Sequence, residues 1–495
     1  MQHSKLKDHV FDPKKRKYIS PMNAALGDKA NINDWFCERL PEYLWIGLIL
    51  DYFKSRKAAI RCLTNALKQI TSEYPDLIIP RLSTIFQFQE KDQERIFNIL
   101  EQFIPKETLS PLTILYTFSE APCFATRFSS NQGNVQYQSS IIERVMKKAT
   151  AYHSDFSTDI AFFIVYTCAA NGKIHLPKDR GFDNIVDDLN SYADADILNE
   201  GNREIQGFIR CFEQASVSQY KRNQAFLDDF WKKASSIFEC SSMYFKYKKD
   251  VKKDAIKSYV SALKAIFLYY RELYRVADPL NIKFLVLLGL SVYSYKRFLE
   301  IVEHNLYNAI SGRSIIRTMI ECYLMMKYLL KISKERKNVW EEYQVHGIGK
   351  YKAVLKNFQE TTEAIDKSHI NVDCLNAIVN EFKDEEFIDI DTSYFDNIGI
   401  RAMAIEVGEK TLYSLYYNYD SSFEHGLWGA IRESSMTACQ TPAHQYHSIP
   451  DVENLQKMKS VWYDAVMVMN KTINLLIEEF GITDELKNRM KENGL

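Results

Sequence analysis

Arg313-Ser-Ile-Ile-Arg317-Thr-Met-Ile-Glu321 places a charged side chain at every fourth position of a segment that is otherwise rich in Ile, Met, Leu and Tyr. Further along the chain, Tyr413, Tyr417, Ser421 and His425 are again four residues apart. Residues at this spacing lie one above another on an α-helix, so each series forms a polar stripe. We therefore expect two helices whose stripes face each other, with a candidate site between them.

The rest of the chain repeats this helical periodicity. Only 17 glycines and 12 prolines interrupt 495 residues, which leaves few helix breakers. Apolar residues at three- and four-residue steps predict a helix over Val452–Phe480, ended by Gly481. Further helices are predicted at about 259–276 and 282–332, the second broken near Ser311-Gly312. Because the strand-like alternation is limited to Phe387–Asp391, the predicted fold class is all-α.

The length predicts more than one domain, because a single hydrophobic core rarely supports 495 residues. Lysines cluster at 246–257 and indicate a boundary. We predict a multi-helix N-terminal region over 1–240, a Lys-rich linker or helix start over 241–258, and a helical bundle that carries the stripes over 259–495. Two segments rich in Asn, Asp, Gly and Ser, 128–138 and 172–202, are predicted loops.

The composition is that of a soluble globular protein. Lys+Arg 63 against Asp+Glu 64 leaves no overall field that would attract nucleic acid. Nine scattered cysteines without a Cys-x-x-Cys motif indicate reduced, mostly buried thiols in a cytoplasmic chain. No signal-peptide core follows the basic N-terminus, and the longest apolar runs fall short of the ~18 residues of a spanning helix. We therefore expect a cytoplasmic protein with no membrane partner.

The C-terminal half also resembles known sequences. Over about 255–480, the Arg-x-x-x-Glu helix, the phrase Ile400-Arg401-Ala-Met-Ala404 and the Tyr-x-x-x-Ser-x-x-x-His helix look like a bacterial family of unknown function. That family is similar, in turn, to HEPN-like helical domains. The phrase from Asp34-Trp35 to Trp45 resembles a segment found in long members of the same group.

This resemblance implies a helical bundle, a homodimer with its site across a two-fold interface, and a metal-independent ribonuclease of toxin or antiviral systems. The sequence departs from the HEPN signature, in which an Arg is followed by a polar residue and then a His. Its nearest counterpart is Arg297…His304, where Phe298 takes the place of the polar residue.

The residue types of the stripes fit phosphoryl chemistry. His425 could carry a proton near neutral pH, while Arg313 and Arg317 could hold a phosphate. In the same interpretation Glu321 orients one arginine, and Ser421 and Tyr417, with Tyr413 extending the stripe, donate hydrogen bonds. A structural interpretation uses the same residues. Arg317 and Glu321 would then form an internal ion pair capped by Tyr417 and His425, with no substrate.

Two other groups give weaker predictions. Lys248, Lys249, Lys252 and Lys253 lie near Tyr and Phe residues and could contact nucleic acid, although such a run is more often a solvated helix face. His444 and His447 are three residues apart, as zinc ligands often are, but no Cys or acidic partner is found at metal spacing. We predict a solvated loop there, no metal site and no cofactor.

Three hypotheses follow. The first is a cytoplasmic HEPN-like effector of antiviral defence that acts on RNA or a nucleotide through His425, Arg313, Arg317 and Ser421. The second is a non-enzymatic helical interaction protein whose N-terminal region binds a protein partner and whose stripes are structural. The third is a sensor that binds a nucleotide between the stripes without turning it over.

Overall fold

The fold is known from a computed structural model. It describes residues 6–21, 24, 33–129, 134–173, 189–194, 200–218, 220–243, 253–277, 279–361, 368–381, 385–390, 393–453 and 458–492. The chain is predominantly helical over these ranges, which confirms the all-α prediction. It divides into a first unit of residues 1–243 and 438–447 and a second unit of residues 244–437 and 448–495. The short segment 438–447 thus returns to the first unit from late in the sequence.

The first unit is a helical array around one large apolar core. Its described α-helices are α1 Leu40–Tyr52, α2 Arg56–Glu73, α3 Leu82–Ile85, α4 Glu90–Phe103, α5 Pro122–Phe128, α6 Val135–Ala149, α7 Asp155–Ala170, α8 Glu200–Ser218 and α9 Gln224–Ile237. A π-helix, Trp35–Arg39, leads directly into α1.

Helices α1 and α7 lie at the centre of this core. Every residue from Leu40 to Leu50 is buried, Glu42 included, so α1 is covered around its whole circumference, as expected of a helix surrounded by others. Helix α7 is buried almost as completely. Its start is fixed by Ser154, whose hydroxyl accepts a hydrogen bond from the Ser157 N–H. The apolar run at 160–170, one of the longest in the sequence, is therefore a core helix.

The second unit has its own core and carries the polar stripes. Its described α-helices are α10 Lys253–Ala277, α11 Ile282–Glu303, α12 Ile310–Ile332, α13 Val339–Glu360, α14 Val372–Asn380, α15 Ile400–Glu406, α16 Lys410–Leu412, α17 Asn418–Glu424, α18 Trp428–Ser434, α19 Trp462–Phe480 and α20 Asp484–Glu492. A π-helix, Tyr413–Tyr417, joins α16 to α17 without a break. Helices α11, α12 and α19 pack against one another, and α12 also packs against α17.

The break in the predicted 282–332 helix lies before Ser311-Gly312 rather than at it. Helix α11 ends at Glu303, Asn305 takes a left-handed φ of 54°, and a 3-10 turn precedes α12. Gly312 lies inside α12, where a Cβ would sit 2.3 Å from the Leu306 carbonyl oxygen. The glycine is therefore required by close backbone approach and does not end a helix.

Within the described part of the predicted helix Val452–Phe480 the helix begins at Trp462, and residues 454–457 lie outside the described residues. The preceding segment does not continue the helical hydrogen bonds, because the Met458 N–H donates to the Asn308 carbonyl and the Val461 N–H donates to the Tyr307 carbonyl. The predicted end is correct: Gly481 follows Phe480 with a φ of 70°.

The described strands are few and short: β1 Val10–Asp12, β2 Lys17–Ile19, β3 Ser242–Met243, β4 Met436–Cys439 and β5 Ser448–Pro450. Strands β1 and β2 form a hairpin with Phe11 opposite Tyr18, and the other three follow the order β3-β4-β5 with Ser242 opposite Cys439.

The strand-like alternation at Phe387–Asp391 does not form a strand over residues 387–390, and Asp391 lies outside the described residues. Phe387 ends a 3-10 turn, and residues 388–390 have no regular structure. The Asp389 carbonyl instead lies over α13, only 2.7 Å from where a Cβ of Gly349 would be. None of the described helices is long and apolar enough to cross a membrane.

Candidate functional site

Arg317, Glu321, Tyr417 and Tyr413 meet between α12 and the adjoining π-helix. The Arg317 and Glu321 side chains form an ion pair at 3.1 Å, and the Tyr417 hydroxyl donates to a Glu321 carboxylate oxygen at 2.7 Å. The Arg317 guanidinium also lies 5.0 Å from the centre of the Tyr417 ring, which in turn stacks on Tyr413 at 5.1 Å. We call these four residues the Arg317 cluster.

The Arg317 cluster is a largely closed network. The side chains of Arg317 and Glu321 are 20% and 29% exposed, and Tyr417 is buried. Burial, followed by the neighbouring Glu321 carboxylate, raises the pKa of Tyr417 above its ordinary value. Tyr417 therefore remains a neutral hydrogen-bond donor at physiological pH, and the cation of Arg317 is already neutralised by its partner.

Arg313 is buried more deeply than the Arg317 cluster. It is 2% exposed, and its two terminal nitrogens donate to the Ala309 and Lys459 carbonyl oxygens at 3.2 and 3.0 Å. Its guanidinium lies 5.1 Å from the centre of the Phe423 ring. Arg313 thus links the first turn of α12 to the segment that precedes α19, and its flat face is covered by an aromatic ring.

Asp420 is the charged neighbour of Arg313 that sequence reasoning missed. It is 5% exposed on α17, and burial raises its pKa to about 8, although the Arg313 cation opposes the shift. Asp464 at the start of α19 also has its pKa raised by burial. A signal was present in the sequence, since Asp420 falls three residues after Tyr417 and three before Phe423, on the apolar face of the helix.

Ser421 and His425 continue the predicted stripe but do not enter the Arg317 cluster. Ser421 is half-buried, and its carbonyl accepts the His425 N–H at 3.1 Å. His425 ends α17 with an exposed imidazole. Among the described residues, no hydrogen bond or ion pair joins either side chain to Arg313 or to the cluster. The π-helix explains the divergence, because its wider turns rotate the downstream residues away from an ideal four-residue stripe.

Of the four lysines predicted to contact nucleic acid, the structure describes one. Lys248, Lys249 and Lys252 lie outside the described residues, while Lys253 is exposed at the start of α10. Arg297, the first residue of the HEPN-signature counterpart, pairs instead with Glu300 on its own helix at 2.5 Å.

The first unit contains a buried polar network of its own near the π-helix that precedes α1. Arg39 forms an ion pair with the fully buried Glu213, which also accepts a hydrogen bond from the Tyr152 hydroxyl at 2.9 Å. Arg39 and Tyr43 line an adjacent cavity of about 10 Å³. A space of this size holds roughly one water molecule, so it does not take a nucleotide.

Cys240, Cys439, His444 and His447 come together in the first unit. One ligand atom from each residue lies within 4.8 Å of the others. His444 and Cys439 are buried, whereas His447 and Cys240 are exposed. Burial alone would raise the pKa of the Cys439 thiol, but hydrogen bonds with Thr441, Cys240 and His444 lower it below its ordinary value, to about 7.

The partners of His444 and His447 come from two distant parts of the sequence. Cys439 precedes His444 by five positions, but Cys240 is 199 positions before Cys439. The expectation of a solvated loop is therefore wrong for His444. Among the nine free cysteines, three are buried, so the expectation of mostly buried thiols was also too strong.

The region that carries the polar stripes is similar to a known protein family. A family of unknown function, DUF5677, matches residues 284–440. The match spans α11, α12, the Arg317 cluster and His425, and it ends one residue after Cys439. No curated protein and no solved structure matches the chain. The sequence is thus similar to this family over the region that carries the stripes, and the similarity assigns no activity.

Proposed function

We propose that this chain is a non-enzymatic helical protein that acts in the cytoplasm by binding other protein chains, and that its polar stripes hold the second unit together. The observation that carries the proposal is the state of Arg313. Arg313 is one of the two arginines expected to hold a phosphate, yet its 2% exposure leaves no room for one, and both terminal nitrogens are bonded to carbonyls.

The Arg317 cluster supports the same interpretation. Arg317 is neutralised by Glu321, and that carboxylate also accepts a hydrogen bond from the Tyr417 hydroxyl. Reaching a phosphate would require breaking the pair, which contributes roughly 1 kcal/mol at this exposure, and giving up the contact with the Tyr417 ring. A network of this kind fixes how two helices lie against each other without any ligand.

The surface for binding lies on the other side of the stripe-bearing helix. Leu415, Tyr419, Leu427 and Trp428 are large apolar side chains that are 61%, 45%, 54% and 65% exposed. Tyr419, Leu427 and Trp428 lie on either side of the turn between α17 and α18, and Leu415 lies one helical turn before Tyr419. At this turn the Leu427 N–H donates to the Ser422 carbonyl at 2.9 Å, and the Tyr419 hydroxyl donates to Glu433. We call these four residues the Trp428 surface. Exposed apolar groups gathered in this way are typical of protein interfaces.

The proposed occupant of the Trp428 surface is a second copy of the chain. The net charge of −1 gives two copies almost no mutual repulsion, and closed two-fold dimers are the commonest oligomers. Aromatic residues supply the anchoring contacts in such interfaces. The first unit would remain available for a different protein partner.

Sedimentation velocity over a range of concentrations tests this proposal. The wild-type chain should form dimers, and Trp428→Ala should shift the equilibrium toward monomers by roughly tenfold or more, as expected for a central aromatic anchor. Tyr351→Ala on α13 is a matched control, because Tyr351 is another exposed aromatic residue of the second unit. A wild-type monomer at every concentration, or equal dimerisation of both variants, would contradict the proposal.

A second candidate function rests on His425. This imidazole is exposed at the end of α17, three residues before the exposed indole of Trp428, on which a base could stack. In this candidate, a HEPN-like effector of antiviral defence acts on RNA or a nucleotide by metal-independent phosphoryl chemistry. His425 transfers the proton and Ser421 donates to the phosphate, while Arg317 would have to leave its pair with Glu321 to supply the cation.

RNA cleavage by purified protein separates the two candidates. The second one requires cleavage by the wild type that is lost in His425→Ala while melting is unchanged. Calorimetric titration with mono- and dinucleotides distinguishes a sensor, which would bind without turnover. Cleavage that persists in His425→Ala would eliminate the catalytic candidate.

A further inference from the structure

Two cysteines from distant parts of the sequence are brought together by strand pairing in the first unit. Cys240 follows α9 by three residues, and Cys439 ends β4. The Gln440 N–H donates to the Ser241 carbonyl at 2.7 Å, and Ser242 lies opposite Cys439. This pairing places the two sulfur atoms 3.4 Å apart. The contact is too long for a disulfide bond, which measures about 2.05 Å.

A tight turn then returns two imidazoles to the same place. Gln445 and Tyr446 both have left-handed φ values, 53° and 51°, so the chain reverses immediately after His444. The His447 carbonyl accepts the Cys439 N–H at 2.9 Å, which closes the reversal. As a result, His444 Nδ1 lies 3.7 Å from the Cys439 sulfur, and His447 Nε2 lies 3.3 Å from the Cys240 sulfur.

Three of the six ligand–ligand separations match the edges of a tetrahedron around zinc, and all six are within 4.8 Å. With Zn–S bonds of about 2.3 Å and Zn–N bonds of about 2.05 Å, tetrahedral geometry places two sulfur ligands ~3.8 Å apart and a sulfur and a nitrogen ~3.6 Å apart. The corresponding distances of 3.4 Å between sulfurs and 3.3 and 3.7 Å between sulfur and nitrogen differ by a few tenths of an ångström. Small side-chain rotations are enough to reach bonding geometry.

The surroundings orient two of the four ligands. His444 Nε2 is 3.0 Å from the Phe238 carbonyl oxygen, so this nitrogen donates a proton and Nδ1 presents its lone pair. The Thr441 N–H points at the Cys439 sulfur at 3.4 Å, and such a donor stabilises a thiolate. Thr441 is itself held by a hydrogen bond from its hydroxyl to the Glu239 carbonyl at 2.9 Å.

We propose that Cys240, Cys439, His444 and His447 bind one zinc ion as a structural site. Two thiolates and two imidazoles in a tetrahedron favour zinc over the harder cations, which prefer oxygen ligands. Four protein ligands close the coordination sphere, so no position is left for water or substrate. The proposed role is to hold segment 438–447 against the end of α9 within the first unit.

Zinc analysis of the full chain purified without chelators tests this site. We expect about one zinc per wild-type chain, and close to none in the Cys240→Ser/Cys439→Ser double variant. Cys211→Ser is the control, because Cys211 is an exposed thiol of the same unit outside the cluster, and it should retain zinc fully. Adding EDTA should lower the melting temperature of the wild type and leave that of the double variant unchanged.

A measurement on the wild type alone covers the case in which the double variant does not fold. A mercurial titrated against the folded protein should release one zinc as Cys240 and Cys439 react, after the exposed thiols outside the site. Cobalt in place of zinc should give the strong visible bands of a tetrahedral thiolate site. The proposal is overturned if the wild type carries no more zinc than the double variant. It is also overturned if Cys240 and Cys439 are found as a disulfide, seen as the loss of two hydrogens in the intact mass.

Discussion

Replacing Arg317 by alanine tests whether the Arg317 cluster stabilises the second unit. The substitution removes an ion pair of 3.1 Å, largely shielded from solvent, and the contact of the guanidinium with the Tyr417 ring at 5.0 Å. An ion pair of this kind contributes roughly 1 kcal/mol and the cation–π contact about 0.5–1 kcal/mol. We therefore expect Arg317→Ala to lower the free energy of unfolding by about 2 kcal/mol.

For a unit of this size, such a loss corresponds to a fall of ~4–8 °C in melting temperature. Differential scanning calorimetry is the suitable assay, because the two units of the chain can give separate transitions. Lys356→Ala is the control, since it removes an i,i+4 pair with Glu360 in which both side chains are more than half exposed. This control should change stability by less than ~0.5 kcal/mol.

A double-mutant cycle locates the effect in the cluster. Tyr417→Phe removes only the hydroxyl that donates to Glu321 at 2.7 Å. The two changes share Glu321, so their combined effect should differ from the sum by about 0.5–1 kcal/mol. The reasoning is refuted if Arg317→Ala melts at the same temperature as Lys356→Ala, or if the two changes add without coupling.

Three other perturbations have expected outcomes. Gly312→Ala should destabilise the chain by about 1–3 kcal/mol in thermal unfolding, because its Cβ would meet a backbone carbonyl at 2.3 Å, whereas Gly347→Ala, with nothing within 4 Å, should not. Burial raises the pKa of Asp420 in the folded chain to about 8, above its unfolded value. The protonated carboxyl therefore contributes fully to the free energy of unfolding at acidic pH, and this contribution is lost as the pH rises through 8. The melting temperature of Asp420→Asn should thus fall less than that of the wild type between about pH 5 and 8. Glu213→Ala should cost about 3–5 kcal/mol by leaving the buried Arg39 cation unpaired, and Arg39→Met in the same chain should restore much of the loss in thermal unfolding.

The sequence was a good guide where regular helical periodicity determines the structure. The stop at Gly481 and the long helix near 259–276 were predictable, because apolar spacing and a glycine with positive φ are local signals. The pairing of Arg317 with Glu321 was predictable for the same reason, since residues four apart on one helix are neighbours.

Other features depend on contacts that no local pattern contains. Val452–Phe480 has helical periodicity throughout, but Met458 and Val461 donate hydrogen bonds to the 3-10 turn before α12, and the described helix begins at Trp462. The π-helix at Tyr413–Tyr417 moved His425 away from the cluster, and nothing in the four-residue spacing indicated it. The pairing of Cys240 with Cys439 joins residues 199 positions apart.

The predictions of domain limits, of a homodimer and of an RNA or nucleotide partner stay predictions. The boundary between the two units lies between residues 243 and 244, beside the lysine cluster, and residues 438–447 belong to the first unit. That return could not be read from composition, because the segment is short and its neighbours on both sides belong to the second unit.

Hydrogen exchange measured at two protein concentrations tests most directly whether the chain binds itself through the Trp428 surface. At the concentration where dimers form, the amides of residues 413–434 should exchange more slowly than at the lower concentration, while those of the buried helix α19 should be unaffected. Exchange in 413–434 that is identical at both concentrations, in a sample shown to be dimeric at the higher one, would contradict the proposed interface.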